Sequence, residues 1–213
     1  MCTRYISPDQ AAIERAWHIG RHNQPRWAEN LFPRAQGPFL RLGDGDSLDL
    51  IVGTWGLIPS WSKTSVLKYS TVNCRSEEAA GKPAFRDAWR RGQRCIIPAV
   101  SFDEPCWETG RNVWWRFRRR DGLPWGLAGL WNTWLDHSTG EIVESYTMLT
   151  VNADDHPIMS RMHKPDPKLG PDQQDKRSVV AIEQGEAIQW LRGGDPSILA
   201  APDFRLISCA PIP

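Results

Sequence analysis

The sequence has no apolar run close to the roughly 18 residues that a membrane-spanning helix needs. It opens on Met1-Cys2-Thr3-Arg4, without the apolar stretch of a secretory signal. The five cysteines are odd in number and contain no CxxC pair, so we expect no disulfide framework and a reducing, cytoplasmic setting. No histidine and cysteine cluster has zinc spacing, and no glycine-rich nucleotide motif occurs. We therefore expect neither a metal ion nor a cofactor.

Lysine is also scarce, since the 26 basic residues comprise 20 arginines and 6 lysines. The formal net charge of +1 excludes a uniformly basic, histone-like surface but permits a basic groove. Between Arg86 and Arg120 nine arginines stand against four acids. Arginine forks match phosphate, and the 12 tryptophans offer rings on which bases stack, so this composition is compatible with binding single-stranded nucleic acid. The alternative is an ordinary solvated, arginine-rich surface.

The hydrophobic patterns predict more strands than helices. Short helices are expected after Ser7-Pro8-Asp9-Gln10, with Ser7 as the N-cap, in the second half of 77–91 with its end at Gly92, and over 185–191. Long connections are expected over 20–37 and 164–177. The predicted strands are 38–42, 48–56, 95–100, 113–118, 125–135, 143–151, 178–182 and 204–209.

No helix recurs between strands in a βαβ rhythm, so a doubly wound parallel sheet is disfavoured. We predict one α+β domain over residues 1–213, with a mostly antiparallel, curled sheet that forms a pseudo-barrel and with a few short helices. We also expect a monomer.

Cys2 offers chemistry that no internal cysteine has. If Met1 is removed, the chain begins with a free amine and a thiol on the same residue. The amine has an ordinary pKa near 7.7–8.0, so a substantial fraction is a neutral nucleophile at physiological pH. Such a pair condenses with an aldehyde to a Schiff base, and the thiol then closes a thiazolidine ring. The alternative is an ordinary cysteine in a frayed terminus.

Short motifs recur in a fixed order along most of the chain. They are Met1-Cys2-Thr3-Arg4, Trp55-Gly56-Leu57-Ile58-Pro59-Ser60-Trp61, Asn73-Cys74-Arg75-Ser76-Glu77, Arg94-Cys95-Ile96-Ile97-Pro98-Ala99, Phe102-Asp103-Glu104, Ala128-Gly129-Leu130-Trp131 and Arg161-Met162. In these motifs the chain resembles the SRAP (SOS-response-associated peptidase) family, whose members crosslink covalently to abasic sites in single-stranded DNA. The resemblance implies that function here, without metal or cofactor.

The resemblance also implies roles for individual residues. Cys2 matches the nucleophile, Asn73 matches the asparagine that orients it, and Glu104 matches the carboxylate that moves protons near it. Arg4 and Arg75 match positions that hold DNA phosphate, and we expect Arg161 to contribute to the same positive surface. Each residue also has an ordinary structural interpretation, as a loop acid, a turn residue or a surface ion pair.

Three departures from the family pattern bear on the site. Thr3 stands where the family has glycine, and Pro105 stands where it has a tryptophan, for which Trp107 is a substitute. The family histidine is Met159 here, in Ile158-Met159-Ser160-Arg161-Met162-His163. We predict that His163, four residues further on, takes over the role of that histidine. His156 is the alternative if the segment is helical.

The tryptophans divide into two groups by position. Trp61 follows Pro59 at a predicted strand end, where a base can stack on it. Five tryptophans lie in strand-like runs and are predicted to be core residues: Trp114, Trp115, Trp125, Trp131 and Trp134.

Three other functions fit parts of the same pattern. An N-terminal-nucleophile hydrolase of the amidotransferase type also uses an N-terminal cysteine, although such enzymes often begin Met-Cys-Gly. A peptidase is a further possibility, with Met1-Cys2 as its most defensible bond. A non-catalytic nucleic-acid module is the last. A covalent product on abasic single-stranded DNA distinguishes the first prediction from all three.

Overall fold

The computed structural model describes residues 1–170, 173–194 and 196–212. Within these residues the strands far outnumber the helices. The strands are β1 (Tyr5–Ile6), β2 (Asn30–Leu31), β3 (Gln36–Leu42), β4 (Leu48–Trp55), β5 (Asn73–Arg75), β6 (Arg94–Ala99), β7 (Ser101–Cys106), β8 (Val113–Arg119), β9 (Trp125–Leu135), β10 (Ile142–Asn152), β11 (Arg177–Val179), β12 (Ala181–Ile182) and β13 (Ile207–Pro211). The helices are α1 (Gln10–Ala16), α2 (Arg86–Arg90) and α3 (Ala187–Leu191).

Five strands pair in a closed ring, which confirms the predicted pseudo-barrel. Around the ring β3 pairs with β4, β4 with β10, β10 with β9, β9 with β6, and β6 with β3. Only the β4–β10 pairing in the ring is parallel, so the sheet is mostly antiparallel as predicted. β5 and β11 extend the sheet at β10, and β12 extends it at β9.

A second, antiparallel sheet carries the start of the chain. Its strand order is β13-β8-β7-β1-β2, so β1 lies between β7 and β2. Tyr5 pairs with Phe102 on one side and with Leu31 on the other. The residues next to Cys2 are therefore held in a sheet rather than frayed.

Alternate residues of the ring strands enter two hydrophobic clusters, as the two-residue period of a strand requires. Phe39 and Ile97 belong to the cluster that also contains Cys2, Phe102 and Phe117. The second cluster takes residues of the opposite face, together with the helices. Its members include Leu40, Ile96, Leu130, Ile13 of α1, Ala88 of α2 and Trp190 of α3.

A buried hydroxyl pair fixes β1 against the ring. Tyr5 and Tyr146 are fully buried, and their hydroxyl oxygens lie 2.6 Å apart. Gly37 leaves room for them, because a Cβ there would collide with both hydroxyls. This contact anchors the segment that begins three residues after Cys2.

Several boundaries differ from the predictions. Asp9, not Ser7, caps α1, since its Oδ1 accepts a hydrogen bond from the Ala12 N–H at 2.7 Å. Ser7 stays extended because its N–H donates to the carbonyl of Glu29. The connection 20–37 contains β2 and the start of β3. α2 is confined to the second half of 77–91, with Gly92 following in a left-handed conformation (φ 68°), as predicted.

Near the C-terminus two predicted strands are interrupted. The strand 178–182 is two strands, β11 and β12, separated at Val180. In 204–209 the first three residues form a 3-10 turn, and β13 begins at Ile207. The predicted loop 164–177 ends one residue early because Arg177 pairs with Asn152, and its residues 171 and 172 lie outside the described ones.

The prediction that five strand tryptophans are core residues was partly wrong. Trp125 and Trp134 are buried, whereas Trp115 and Trp131 are half-buried. Trp114 is exposed, because it alternates with the inward-facing residues of β8. No helix among the described residues has the length and apolar character needed to cross a membrane.

Candidate functional site

The start of the chain contacts several polar side chains that are distant in sequence. Cys2 is completely buried, and its Sγ lies 3.3 Å from the carbonyl oxygen of Arg4. Asn73 donates from Nδ2 to the Cys2 carbonyl oxygen at 2.7 Å. The Met1 amine contacts His163 Nε2 and lies 3.7 Å from Glu104 Oε2. Cys2 is thus held on both sides by residues distant in sequence.

Asn73 reaches Cys2 because β5 lies beside β10. The two strands run parallel, with Asn73 opposite Met148 and Arg75 opposite Thr150. The residue between them, Cys74, points into the other hydrophobic cluster. Asn73 and Arg75 therefore share the face of β5 that looks toward the N-terminus.

Glu104 lies within β7, a strand that the sequence prediction missed. It is completely buried, and its backbone pairs with Trp115 of β8. The prediction placed Glu104 after a strand, because Pro105 and the acids Asp103 and Glu104 depart from the apolar pattern of a strand. Asp103 is tolerated in the strand because Arg116 donates two hydrogen bonds to it, both of 2.8 Å.

His163 meets Glu104 directly, with 2.8 Å between His163 Nε2 and Glu104 Oε2. The segment Met159–Arg161 is a 3-10 turn, and Met162 then bridges to Cys106 of β7. His163 has a left-handed backbone (φ 64°), and its N–H donates to the Pro105 carbonyl oxygen at 2.6 Å. The imidazole is therefore placed by the turn and by the pairing of residues 162 and 163 with β7. The four-residue spacing from Met159 does not account for its position.

Met159, at the position of the family histidine, and His156, the alternative to His163, make other contacts. Met159 is fully buried in the cluster that contains Cys2. The ring of His156 lies 2.8 Å from the Pro202 carbonyl oxygen through Nε2 and accepts backbone N–H groups of Ile158 and Met159 at Nδ1. His156 therefore holds the turn together.

The buried ammonium group of Lys176 holds the backbone of the His163 segment. Lys176 Nζ donates to the carbonyl oxygens of Met162 and His163 at 2.8 and 2.7 Å. Burial lowers the pKa of Lys176, and the nearby Asp154 carboxylate opposes that shift. Sequence reasoning missed Lys176, because nothing in a lysine within a predicted loop indicates which backbone groups it will reach.

Burial raises the pKa of the Cys2 thiol well above its usual value, and the Glu104 carboxylate raises it further. The thiol is therefore protonated at neutral pH and needs a base before it can attack. Three buried polar atoms of the site have no hydrogen-bond partner among the described residues. They are Asn73 Oδ1, Glu104 Oε1 and His163 Nδ1. Unpartnered buried polar atoms are costly, so a site that contains several of them is typical of one that is completed by a ligand.

The predicted DNA-binding arginines surround the site, and each contacts a carboxylate. Arg4 Nε lies 3.3 Å from Asp103. Arg75 lies 2.5 Å from Asp175 and 3.4 Å from Glu78. Arg161 donates to Glu108 from Nε and Nη2 at 2.6 and 2.5 Å.

Three of the nine arginines in the stretch 86–120 are buried, or half-buried and paired with carboxylates. Arg94 is buried, with its guanidinium 3.8 Å from the Trp89 ring centre. Arg116 is paired with Asp103, and Arg119 with Asp121 and Glu183. The stretch still presents positive charge, because its other six arginines are exposed: Arg86, Arg90, Arg91, Arg111, Arg118 and Arg120.

Trp61 is half exposed, as a stacking residue must be. Its indole N–H donates to the Pro83 carbonyl oxygen, and it lines an apolar cleft with Tyr69, Lys82 and Phe85. These contacts lie outside the group formed by Cys2, Asn73, Glu104 and His163. Lys164 lies over the ring of Trp107, at 5.3 Å from its centre, directly after His163.

The family model for SOS response associated peptidase (SRAP) matches residues 1–202 of the chain. The chain belongs to this family. In agreement, a crystal structure of a Bordetella bronchiseptica protein shares 32% identity and a TM-score of 0.87 over 100% of both chains. A Bacteroides thetaiotaomicron protein of 22% identity shares the fold, with a TM-score of 0.75 over 100% of this SRAP chain and 92% of its own.

Curated relatives of this SRAP chain carry the name abasic site processing protein HMCES. The Gallus gallus protein is 28% identical over 172 residues, which cover 63% of this chain and 51% of the relative. The Mus musculus protein is 36% identical over 103 residues, which cover 40% of this chain and 29% of the relative. The chain thus spans about half, or less, of the length of these relatives.

Proposed function

We propose that this SRAP protein captures abasic sites in single-stranded DNA as a covalent adduct of Cys2, after removal of Met1. One observation carries the proposal: Asn73 holds the Cys2 carbonyl while the amine end of the chain lies against Glu104 and His163. The name of the curated relatives supports the substrate class.

The reaction begins at the ring-opened sugar of an abasic site, which exposes an aldehyde at C1′. The Cys2 amine adds to that carbon, and the resulting carbinolamine loses its hydroxyl as water to give an iminium. Cys2 Sγ then adds to the same carbon and closes a thiazolidine ring. The thiol proton leaves to a base, the iminium electrons return to nitrogen, and one water is released overall.

Glu104 and His163 are positioned to move the protons of these steps. Water leaves the carbinolamine only if its oxygen is protonated, and the Cys2 thiol closes the ring only if it is deprotonated. The 2.8 Å contact between the imidazole and the carboxylate allows one proton to be passed between them. Glu104 Oε1 and His163 Nδ1, which have no partner among the described residues, are the atoms available to the substrate.

The DNA strand would be held by Arg4, Arg75 and Arg161, with Trp61 as a stacking surface further away. Single-stranded DNA is favoured because the aldehyde must enter a pocket in which Cys2 is fully buried, and a duplex would have to open first. A monomer suffices, since all of these residues come from one chain. A reducing cytoplasm would keep the N-terminal thiol free.

The decisive experiment is the intact mass of the protein before and after incubation with a single-stranded abasic oligonucleotide. The expected product is heavier by the oligonucleotide minus one water, and it survives denaturation. A Cys2→Ala variant should give no stable adduct, whereas Cys209→Ala, at a half-buried thiol of β13, should react normally. A normal adduct yield with Cys2→Ala would exclude the thiazolidine mechanism.

Two further activities follow from the same groups. Proton abstraction next to a Schiff base would cleave the DNA strand, which is a lyase activity. Attack on the Met1-Cys2 bond would release Met1, which is an autoproteolytic activity. Strand scission on a denaturing gel and time-dependent loss of one methionine mass measure them separately.

An N-terminal-nucleophile hydrolase is the alternative, because it also pairs the amine and thiol of Cys2. Ammonia release from glutamine, by a processed protein that forms no adduct with abasic DNA, would favour the hydrolase.

A further inference from the structure

In the ion pairs at Arg75 and Arg161 both partners are open to solvent, and both arginines are proposed to bind DNA phosphate. The side chains of Arg161 and Glu108 are 37% and 45% exposed, and those of Arg75 and Asp175 are 42% and 38% exposed. Exposed ion pairs contribute little to stability. Their retention next to a proposed phosphate-binding site therefore calls for another explanation.

Both pairs are tied by short stretches of chain to the groups that surround Cys2. Arg161 lies two residues before His163, and Glu108 lies two residues after Cys106, the bridge partner of Met162. Arg75 follows Asn73 by two residues on the same face of β5. Asp175 directly precedes Lys176, whose ammonium holds the His163 carbonyl.

We propose that Glu108 and Asp175 compete with DNA phosphates for Arg161 and Arg75, and so increase the discrimination between abasic and intact single-stranded DNA. This inference rests on the proposed function. Carboxylate and phosphate use the same guanidinium fork, and Glu108 already occupies the Nε–Nη2 edge of Arg161. A phosphate that binds this edge must displace Glu108.

The consequence differs for the two kinds of DNA. Intact DNA is held only by non-covalent contacts in rapid equilibrium. Competition by the Glu108 and Asp175 carboxylates therefore weakens its binding directly. Abasic DNA is retained by covalent bonds once it has reacted, so the competitor does not lower the final yield. The two carboxylates thereby shorten the time spent on undamaged strands.

Arg4 does not share this arrangement. Its partner Asp103 is fully buried and is held by two hydrogen bonds from Arg116. Arg4 Nη2 also donates to Asn30 at 3.0 Å. Asp103 therefore orients Arg4 and is not free to be displaced.

The test uses Glu108→Gln, with Glu183→Gln as a matched control. Glu183 is also an exposed carboxylate paired with an arginine, Arg119, at 2.6 Å. Glu108 is preferred to Asp175, because Asp175 also contacts the buried Arg177 at 3.0 Å and its loss would disturb β11. Affinity is measured with an undamaged single-stranded oligonucleotide by fluorescence anisotropy at low salt.

We expect Glu108→Gln to bind undamaged DNA about fivefold more tightly than the wild type, the factor that corresponds to loss of an exposed ion pair. Undamaged competitor DNA should then inhibit adduct formation on an abasic oligonucleotide at about fivefold lower concentration. Glu183→Gln should match the wild type in both measurements.

The inference would be overturned if Glu108→Gln and Glu183→Gln bound undamaged DNA equally well. If both bound more tightly than the wild type, the gain would reflect net charge alone. Either result leaves the proposed function intact if adducts form. Conversely, a fivefold gain in affinity without any adduct on abasic DNA would support competition at Arg161 while rejecting the covalent mechanism.

Discussion

The Cys2 site and the arginines around it differ in whether their polar atoms already have partners. Asn73, Glu104, His163 and Arg4 each keep a buried polar atom without a hydrogen-bond partner among the described residues, whereas Arg75 and Arg161 are paired with exposed carboxylates. The fold thus leaves its chemical groups open to a ligand while it moderates its charge.

The largest effect should come from removing the nucleophile. Cys2→Ala should abolish the stable adduct with abasic DNA, because no other residue joins an amine to a thiol. The loss of a small buried side chain should lower stability by only about 1 kcal/mol, since β1 remains anchored by Tyr5 and Tyr146. Denaturing gels measure the adduct, and thermal unfolding verifies the fold. Retention of Met1, which acylates the amine, should have the same effect on the adduct.

Glu104→Gln should be the next most damaging change. It keeps the size of the buried side chain but removes the base beside Cys2. Adduct formation should slow by about a hundredfold, within the usual range for an acid–base group. Single-turnover rates on an abasic oligonucleotide test this. A variant within twofold of the wild-type rate would show that Glu104 only fills space in β7.

His163→Ala should slow adduct formation or its reversal by at least about tenfold. Acid–base groups usually contribute about a hundredfold or more, so this is a conservative minimum. The 2.8 Å contact with Glu104 is the reason. His137→Ala, at an exposed position of the β9–β10 hairpin, serves as the control. If the His163→Ala rates equal those of the wild type, Glu104 works without an imidazole.

Arg75→Ala should weaken the binding of single-stranded DNA and slow the crosslink without abolishing it. If Arg4, Arg75 and Arg161 each neutralise one phosphate, log affinity should fall with log salt concentration with a slope of about −2. Arg75→Ala should reduce that slope by about 0.7. Anisotropy titrations at several salt concentrations measure both. An affinity that does not vary with salt would contradict phosphate binding by this surface.

The smallest effect concerns alkaline pH. Burial raises the pKa of the Cys74 thiol to about 12, and burial also raises the pKa of Cys95, Tyr5 and Tyr146. A raised pKa in the folded state gives stability that is complete below the unfolded pKa, near 8.5 for cysteine, and is lost as the pH rises toward 12.

The free energy of unfolding should therefore be level from pH 7 to 8 and should decline above pH 9. Each such thiol contributes a slope of at most about 1.4 kcal/mol per pH unit. Cys74→Ala should make the decline shallower in urea titrations across this range. An identical slope in the variant would mean that Cys74 ionises normally in the folded protein.

Sequence reasoning predicted the long strands and the ring-like sheet because β3, β4, β6, β8, β9 and β10 carry clear apolar periodicity. It missed β1, β5 and β7, which are short or interrupted by polar residues. These three strands are the ones that hold Tyr5, Asn73 and Glu104. β1 is too short to give a strand signal, whereas in β5 and β7 polar side chains weaken that signal and tertiary contacts such as the Asp103–Arg116 pair stabilise the strand instead.

The site residues were named through family motifs, and their juxtaposition could not be read from the sequence. The position of His163 depends on a left-handed residue and a bridge between Met162 and Cys106. The partners of the arginines are equally non-local, since Arg75 pairs with Asp175 one hundred residues away. Charge counted along the chain therefore does not indicate which arginines face a carboxylate.

β5 is only three residues long, yet it carries both Asn73 and Arg75 on one face. Two residues of extended chain span about 6.5–7 Å, so the strand fixes the distance between Asn73, which contacts the Cys2 carbonyl, and Arg75, the proposed phosphate-binding residue. Pairing with Met148–Thr150 of β10 fixes the register of β5. A single inserted residue would turn either Asn73 or Arg75 to the opposite face of the sheet. The length of β5 is therefore far more constrained than the lengths of the loops on either side of it.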